Sequence, residues 1–353
     1  MTSSEDTRTI AVYGATGHTG GYLLAELRRR GLTPILVGRD ADRIRAAAGA
    51  VDLPDAGIRV AELSDHAALV TAFTGAEVVI SSLPAYVEHG AAVLAAAIDA
   101  GAHYTDMSGE QLFLKRVFDE FGPRAAAAGV TLVSGVTDSN VPGDLLAHLA
   151  TRRVTGPAEV VLSHLSKSGG NGSKGSAKTV FASLDWFRGG GWHYADGELR
   201  TGAGAGAEAR HDKMTFPGNT EPTTVAKFPQ PPVLTIPRHS NVSYVEGVLA
   251  TSILDTLSGF TAALIDTLPD APSADLRYDL VVDAFGADGR HARGVLSGVD
   301  SYRDSALMAV ATAVRLAENA AAPGALAPAE AFDPADFLDA LAPFGITWRI
   351  EEN

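Results

Sequence analysis

The sequence predicts an α/β protein whose amino-terminal half folds as a doubly wound parallel sheet. Three observations support this class. Short apolar runs alternate with helical patterns over the first 137 of the 353 residues. A glycine-rich turn follows the first run directly, and the alternation stops at about residue 138. Short apolar strands separated by helices are typical of a parallel sheet covered on both faces, and right-handed crossovers make it doubly wound.

The elements of the first half follow one another without long gaps. The strands share short, almost continuous apolar runs, and they are Ile10–Tyr13, Pro34–Val37, Ile58–Glu62, Val78–Leu83, Tyr104–Met107 and Val130–Gly135. The helices between them have apolar residues at helical spacing, and they are Gly20–Arg30, Asp42–Ala48, His66–Thr74, Val87–Ala100 and Gln111–Ala128. Together these elements predict a first domain over residues 1–138.

The second half, residues 139–353, predicts a mixed α+β domain with a less regular rhythm. AEVVLSHLS indicates a strand, and the glycine-rich SGGNGSKGSAKTVFASLDWF enters a helix at about Ala177. GGGWHYADGELRTGAGAGAEARHDK predicts a long loop, and TTVAKFPQPPVLTIPRHSNVSYVEG an extended, proline-broken segment. LRYDLVVDAFGADGRHARGVLSG predicts a hairpin with its turn at Asp288-Gly289. Helices at Ser305–Ala320 and Pro334–Ala342, which could pack back on the first domain, precede the closing run ITWRI.

Composition excludes several classes of function. The net charge is −14, which argues against nucleic acid or an anionic membrane surface as partner. The chain has no cysteine, so a thiolate nucleophile or zinc–thiolate site is excluded, and no close histidine pair suggests a metal. The sequence contains no run of about 18 apolar residues, so it predicts no membrane span. The start MTSSEDTR lacks the features of a signal peptide, so we expect a cytoplasmic protein with a small-molecule substrate.

The turn GATGHTG predicts a dinucleotide site of the Rossmann type. Gly14 can make the tight turn after the first strand, Gly17 lets the backbone approach a pyrophosphate, and Gly20 permits close packing of helix on strand. The helix N-terminus would bind the phosphates. The remaining residues predicted to contact the cofactor in this turn are Thr16, His18 and Thr19. A glycine-rich turn without a ligand is the alternative.

The residues at the end of the second strand indicate which of the two nicotinamide cofactors binds. An acidic residue there would hold the ribose hydroxyls of NAD, but this chain has Gly38 and Arg39. A guanidinium suits the 2′-phosphate of NADP, and Arg43 could assist it. Asp40 is better interpreted as the N-cap of the next helix. We therefore predict NADP(H) as the cofactor, with an ordinary surface arginine as the alternative for Arg39.

Two further segments complete the predicted cofactor contacts. Ser82, Leu83 and Pro84 end the fourth strand, where a doubly wound sheet holds the nicotinamide. A proline that merely ends a strand is an equal alternative. Asp65, after the third strand, could contact adenine, although a cap for the helix that starts at His66 is favoured.

Four segments, VYGATGHTG, VGRDADRI, YTDMSGE and SGVTDSNVPGD, resemble the saccharopine dehydrogenase-like reductases, a group that includes trans-acting enoyl reductases. The third is similar to the family's Y-x-D-x-x-G-E segment. The fourth is similar to its F-D-S-x-P-x-D segment, at Asp138, Ser139, Pro142 and Asp144. The resemblance covers about residues 8–145. It implies an NADP-binding domain followed by a substrate and dimerisation domain, a homodimer, and hydride transfer to or from a C=N or C=C bond.

Candidate catalytic residues follow the fifth and sixth strands. Hydride transfer needs a positioned acceptor and a proton source, and both lie at the carboxyl edge of such a sheet. Tyr104, Glu110 and Asp138 are the candidates there, with Asp106 and Ser108 on the same side of the strand as Tyr104. Glu110 could instead cap its own helix, and Asp138 could only hold a turn.

Lys174 and Lys178 complete the predicted catalytic set. They are two of only six lysines and lie at a predicted helix N-terminus, where they would suit a substrate carboxylate or phosphate. A solvated loop is an equal alternative.

We expect a reductase that uses NADPH on an imine or activated alkene of a small anionic metabolite. A non-enzymatic NADP-binding redox sensor, and an isomerase or lyase that recycles its NADP, are the alternatives. His193 and Tyr194 could reach a substrate from the predicted loop.

Overall fold

The computed structural model describes residues 8–167, 173–201, 208–259, 261–268, 277–318 and 321–352. They fall into two compact units. The first takes the described residues of Met1–Ser108, Arg116–Thr137 and Ser305–Leu326, and the second those of Gly109–Lys115, Asp138–Asp304 and Ala327–Asn353. The division therefore differs from a single boundary at residue 138, because 109–115 and 305–326 each join the other unit.

Sixteen strands are found in the described residues. In chain order they are β1 Ile10–Tyr13, β2 Ile35–Gly38, β3 Gly57–Val60, β4 Val78–Ser81, β5 His103–Asp106, β6 Thr131–Val133, β7 Ala158–Ser166, β8 Trp192–Ala195, β9 Glu198–Thr201, β10 Lys213–Met214, β11 Thr223–Lys227, β12 Val242–Ala250, β13 Tyr278–Phe285, β14 His291–Gly298, β15 Gly324–Ala325 and β16 Thr347–Glu352.

The described helices alternate with these strands in the first half and cluster in the second. They are α1 His18–Arg29, α2 Ala41–Ala50, α3 His66–Phe73, α4 Tyr86–Asp99, α5 Gln111–Arg116, α6 Gly122–Ala128, α7 Asn140–Thr151, α8 Lys174–Ala182, α9 Leu184–Arg188, α10 Pro232–His239, α11 Thr251–Ser258, α12 Ala262–Thr267, α13 Ser301–Ala317, α14 Pro328–Ala331 and α15 Pro334–Asp339. A π-helical turn, Val117–Phe121, joins α5 to α6, and a short 3₁₀ turn, Ala342–Phe344, precedes β16.

The first unit contains a seven-stranded sheet in the order β15-β6-β5-β4-β1-β2-β3, and all its neighbouring strands are parallel. Strand order reverses between β1 and β4, which places a topological switch point where these strands end. The predicted doubly wound sheet is confirmed, and β1 has the predicted bounds. Helix α1 packs through Leu23, Leu24 and Leu27, all fully buried, each contributing about 1.5–3 kcal/mol.

The second unit contains a nine-stranded sheet with the central order β10-β11-β12-β7-β13-β14-β16, and β8 and β9 attach beside β12. The β12–β7 pair is parallel, whereas the other neighbours are antiparallel. The predicted hairpin is present as β13 and β14, and Gly289 in its turn has φ +81°. Of the helices that the structure describes, none is both long and apolar enough to cross a bilayer.

Two expectations for the second half are wrong. Part of the predicted long loop is a hairpin of β8 and β9, closed by Asp196 and Gly197 at φ +51° and +90°. A two-residue Asp-Gly connection favours such a turn, and pairing of β8 with β12 fixes the hairpin. The predicted extended segment is extended only at its ends, in β11 and β12, and contains helix α10 between them. Pro231 and Pro232 stand at the start of α10, where proline is favourable, and Pro237 lies inside the helix. Residues 202–207 of the predicted loop, and 168–172 before α8, lie outside the described residues.

Candidate functional site

The glycine turn joins β1 to α1 at the switch point. Gly14 has φ +93°, and a Cβ there would lie 2.0 Å from the carbonyl oxygen of Ser82. A Cβ at Gly20 would lie 2.5 Å from the carbonyl oxygen of Ala15. Both glycines are therefore required by packing inside the turn. At Gly17, such a Cβ would make only an ordinary contact with the Gly14 carbonyl oxygen at 3.6 Å, so packing inside the turn does not require this glycine.

The start of α1 can hold an anion. Its N-cap is Gly17, which provides no side-chain cap. The next two helices are capped: Asp40 accepts from two backbone N–H groups of α2 at 3.0 Å, and Asp65 accepts from one N–H group of α3 at 2.9 Å. Thr16 is exposed, and His18 and Thr19 are half-buried. Uncapped N–H groups, the helix dipole and an open glycine fit a pyrophosphate.

Arg39 follows the last residue of β2 and is exposed. Neither its side chain nor that of Arg43 forms a hydrogen bond or ion pair in the part of the chain that the structure describes. Asp40 acts as the predicted helix cap. Arg39 therefore has a free guanidinium at the strand end where a 2′-phosphate would lie.

The other predicted cofactor residues occupy two separate strand ends. The backbone N–H of Ser82 donates to the Tyr13 carbonyl at 2.9 Å, which ties the end of β4 to the end of β1. Leu83 is half-buried and Pro84 is exposed. Asp65 caps α3, the alternative that the sequence favoured, so its contact with adenine stays only a prediction.

Tyr104 and Asp106 are fully buried on β5. Asp106 accepts from the hydroxyl of Ser134 at 2.6 Å and from the backbone N–H groups of Ser108 and Gly135 at 2.9 and 3.0 Å. Burial raises the pKa of Asp106, although these donors partly oppose it. The carboxyl therefore fastens the loop after β6 to the end of β5.

The hydroxyl of Tyr104 has no hydrogen-bond partner among the described atoms. Burial, with the nearby Asp106 carboxyl, raises its pKa well above the ordinary value. A fully buried phenol of this kind is a poor proton donor to a substrate, so the structure places Tyr104 in the core of the first unit rather than at a surface.

Tyr86 was not predicted from the sequence. Its hydroxyl donates to the Ser81 carbonyl at 2.7 Å and accepts from the backbone N–H of Leu83 at 3.0 Å and of Met107 at 3.3 Å. Burial, with Asp106, raises its pKa. This phenol links the ends of β4 and β5. Its signal in the sequence is an aromatic residue just after a strand-ending proline, which is too common to be specific.

Glu110 and its neighbour Gln111 are both buried and belong to the second unit. The Gln111 amide donates to the carbonyls of Trp192 and Gln230 at 3.2 and 2.9 Å, and accepts from the Trp192 N–H at 2.8 Å. This amide fastens residues 109–115 to the second unit.

Asp138 forms a polar cluster in the second unit. Its Oδ2 lies 2.9 Å from Nε2 of His164 on β7 and also accepts from the Ser301 hydroxyl. The His164 ring stacks on Tyr278 with 4.9 Å between centroids, and Tyr278 donates to Asp304 at 3.2 Å. Burial raises the pKa of Tyr278, with Asp138 and Asp304 adding to it. His164 is partly exposed, whereas Asp138 is almost fully buried.

His164 was missed because a single histidine in an apolar strand resembles a core residue. Asp144, from the same motif as Asp138, has a structural contact instead. It accepts from His239 Nε2 and from the Ala329 N–H, both at 2.8 Å, and thereby joins α7 to α10 and α14.

The two predicted lysines lie on α8, which begins at Lys174 rather than near Ala177. The Lys174 ammonium donates to the Asp266 carbonyl at 3.2 Å and lies 4.0 Å from its carboxylate. Lys178, one turn later, is exposed. Predicted site residues therefore separate into two sets, one in each unit. Among the described residues, no group of three or more histidine, aspartate or glutamate side chains could hold a metal.

Comparisons with known proteins find a family match that lies in the first unit. Residues 10–133 match the family described as saccharopine dehydrogenase NADP binding domain. The trans-acting enoyl reductase of Mycobacterium ulcerans is 31% identical over 157 residues, which cover 43% of this chain and 38% of that protein. A lipid droplet localized protein of Caenorhabditis elegans is 30% identical over 146 residues, 38% of this chain and 34% of that protein. The chain thus spans less than two fifths of the length of these relatives.

A solved structure extends the likeness to the fold of the second unit. It is saccharopine dehydrogenase (L-Glu forming) from Saccharomyces cerevisiae. The match covers 98% of this chain and 100% of that one, with TM-score 0.60 and 13% identity. The predicted fold and the predicted cofactor, NADP(H), are confirmed, and the matches agree with an NADP-dependent oxidoreductase. Residues 10–133 therefore match a saccharopine dehydrogenase NADP binding domain, in a chain with the fold of saccharopine dehydrogenase.

Proposed function

We propose that this protein is an NADPH-dependent reductase that transfers hydride to a C=N or activated C=C bond of a small carboxylated metabolite. The observation that carries the proposal is the uncapped, open glycine turn at Gly17 inside a segment that matches an NADP-binding domain. The two alternatives, a non-enzymatic NADP-binding sensor and an isomerase or lyase that recycles its NADP, are distinguished from the reductase by the experiment below.

In the proposed site, the N–H groups of α1 hold the pyrophosphate, with the hydroxyls of Thr16 and Thr19 as further donors. Arg39 pairs with the 2′-phosphate. Ser82, Leu83 and Pro84 lie at the switch point, on the side where a nicotinamide would bind. NADPH, when bound, supplies the hydride.

The proposed proton source is His164. Its Nε2 contacts Asp138, whose carboxylate also accepts from Ser301, and its ring is held by stacking on Tyr278. Asp138 orients the imidazole. Bound NADPH would supply the hydride, and His164 would supply the proton that the reduction requires.

The remaining predicted catalytic residues receive other proposed roles. Tyr104 and Glu110 are buried, and we assign them to positioning the segments that carry them. Lys178 is the exposed ammonium that we propose for the substrate carboxylate, with Lys174 beside it. Lys178→Ala would then raise KM without changing cofactor affinity.

Absorbance at 340 nm in stopped flow, with a panel of carboxylated imines and enoates, tests the function. Net oxidation of NADPH that requires one of these compounds supports the reductase. A transient decrease that returns to its starting value identifies an isomerase or lyase, and NADPH binding without any absorbance change across the panel identifies a sensor.

His164→Asn tests the proton source, because asparagine keeps a polar contact with Asp138 but cannot give up a proton. We expect kcat to fall about 10²-fold or more, with cofactor affinity unchanged. The exposed His66→Asn is the matched control. An unchanged kcat would exclude this role for His164.

We also propose a cytoplasmic homodimer, on the basis of the sequence and its resemblance to the reductase family. Light scattering with size exclusion measures the mass, and a monomer at micromolar concentration would contradict the dimer.

A further inference from the structure

A cavity of about 340 Å³ lies within the second unit, apart from the residues assigned above. Its walls come from α8, α9, α11 and the end of β11. The apolar part of the lining is Val180, Leu184, Phe187, Phe228, Leu254 and Leu257. Pockets for small molecules range from roughly 300 to 1,000 Å³ and are mostly apolar with a few placed polar groups. This cavity therefore fits a compact ligand.

The helices around the cavity leave their apolar side chains partly uncovered. Neither α9 nor α11 has a buried residue, although Leu184, Phe187, Leu254 and Leu257 lie on them. Leu254 and Leu257 are three positions apart and share one face of α11. A surface helix normally buries such a face against the protein, so the occupant of this cavity must be apolar where it meets these leucines.

Lys227 brings a cation to the same cavity. It is half-buried at the end of β11, and its Nζ lies 3.3 Å from Nδ1 of His193. Burial lowers the pKa of Lys227, and the Glu246 carboxylate opposes this only in part. In the described ranges no carboxylate forms an ion pair with Lys227. A half-buried ammonium without an anionic partner is unfavourable, and a bound anion would supply that partner.

Glu246 does not serve as the missing partner because its oxygens are already engaged. One accepts from the Tyr244 hydroxyl at 2.8 Å and from the Arg210 N–H at 3.1 Å, and the other from the His211 N–H at 2.8 Å. The pKa of His193 is lowered, by burial and then by Lys227, so this ring adds no charge at neutral pH. Lys227 therefore remains the group that selects the charge of a ligand.

Arg188 places a second cation at the rim. Its guanidinium donates to the Ser258 carbonyl at 3.1 Å and lies 3.9 Å from the Asp185 carboxylate. It connects α9 to the end of α11 and has Asp185 as an ion-pair partner. Arg188 and Lys227 both line the cavity, and in the described part of the chain only Arg188 of these two forms an ion pair with a carboxylate.

We propose that this cavity binds a monocarboxylate carried on a compact apolar body, such as a medium-chain alkyl or an aryl group. The carboxylate pairs with Lys227 Nζ, and the body packs against Leu184, Leu254 and Leu257. This proposal does not rest on the proposed reductase activity. Its test measures binding without NADPH, so the two proposals can fail separately.

Isothermal titration of the full chain with octanoate and with 1-octanol tests the proposal. The two probes share the apolar chain, and only octanoate carries the anion. Lys227→Met should weaken octanoate binding about tenfold or more and leave 1-octanol binding unchanged. Lys213→Met, an exposed lysine on the neighbouring strand β10, is the matched control and should bind both as the wild type does.

Leu254→Trp fills the cavity and should weaken both probes, while circular dichroism verifies that the variant is folded. Equal octanoate affinity in the wild type and Lys227→Met would overturn the proposal. So would absence of octanoate binding to the folded wild type. If Leu254→Trp changes the mass measured by light scattering and octanoate does not bind, the cavity is instead a contact between two copies, and the proposal is wrong.

Discussion

Gly14 and Gly17 stand three positions apart in one turn, but different physical limits act on them. A side chain at Gly14 would meet the Ser82 backbone and would need φ +93°, whereas a Cβ at Gly17 would make only an ordinary contact at 3.6 Å. Gly14→Ala should therefore destabilise the first unit by about 2 kcal/mol or more. Gly17→Ala should change stability by less than about 1 kcal/mol and weaken NADPH binding about tenfold, because its methyl group occupies the phosphate position. Urea unfolding and NADPH fluorescence titration measure the two effects. A stable Gly17→Ala variant with unchanged NADPH affinity would contradict the proposed pyrophosphate site at the start of α1.

Arg39 acts through one guanidinium that has no partner in the described residues. Arg39→Ala should weaken NADPH binding about tenfold, roughly 1.4 kcal/mol, and leave NADH binding nearly unchanged. Arg45→Ala is the control, because Arg45 lies on the adjoining α2 but pairs with Asp42. Fluorescence titration with both cofactors measures the difference. Equal losses for NADPH and NADH would mean that Arg39 does not recognise the 2′-phosphate.

At the scale of elements, α7 and α10 are joined by the pair Asp144 and His239. Burial alone would lower the pKa of His239, but the Asp144 carboxylate outweighs it and the net shift is upward. The stability that this pair contributes is therefore complete below about pH 6.5 and is lost as pH rises through the folded pKa of His239. His148, whose Nδ1 lies 3.2 Å from Nδ1 of His239, has a lowered pKa, through burial and then His239. It is thus neutral in both states above about pH 7.

His239→Gln isolates this contribution, because glutamine can still donate to Asp144 without a charge. Between pH 7 and pH 9, the free energy of unfolding of the wild type should fall toward that of His239→Gln, whose own stability changes less. The exposed His89→Gln should follow the wild type across the same range. Urea unfolding at the two pH values measures the gap. A gap that stays constant would show that His239 is neutral in the folded protein.

The elements that could be predicted from the sequence are those whose structure is determined by residues close to them in the chain. Strand β1, the helices of the first unit and the β13–β14 hairpin follow from local apolar periodicity and turn residues. The β8–β9 hairpin was missed because its pairing with β12 is formed by residues almost 50 positions away. Among site residues, Gly17 and Arg39 could be found through a local motif. His164 could not, because its contact with Asp138 joins a strand to a turn from another part of the chain.

The whole molecule combines distant segments into each unit. Residues 305–326 belong to the first unit, where β15 pairs with β6. About 170 residues of the chain separate this segment from Thr137, where the preceding part of the unit ends. Since ligand binding stabilises the folded unit that holds the ligand, NADPH should slow hydrogen exchange in β1, β6 and β15 together. Strand β13, at the centre of the second sheet, is the internal reference and should change less. Exchange read by mass spectrometry on short peptides resolves these strands. Protection that stops at residue 137 and leaves β15 unchanged would mean that residues 305–326 open independently of the cofactor domain.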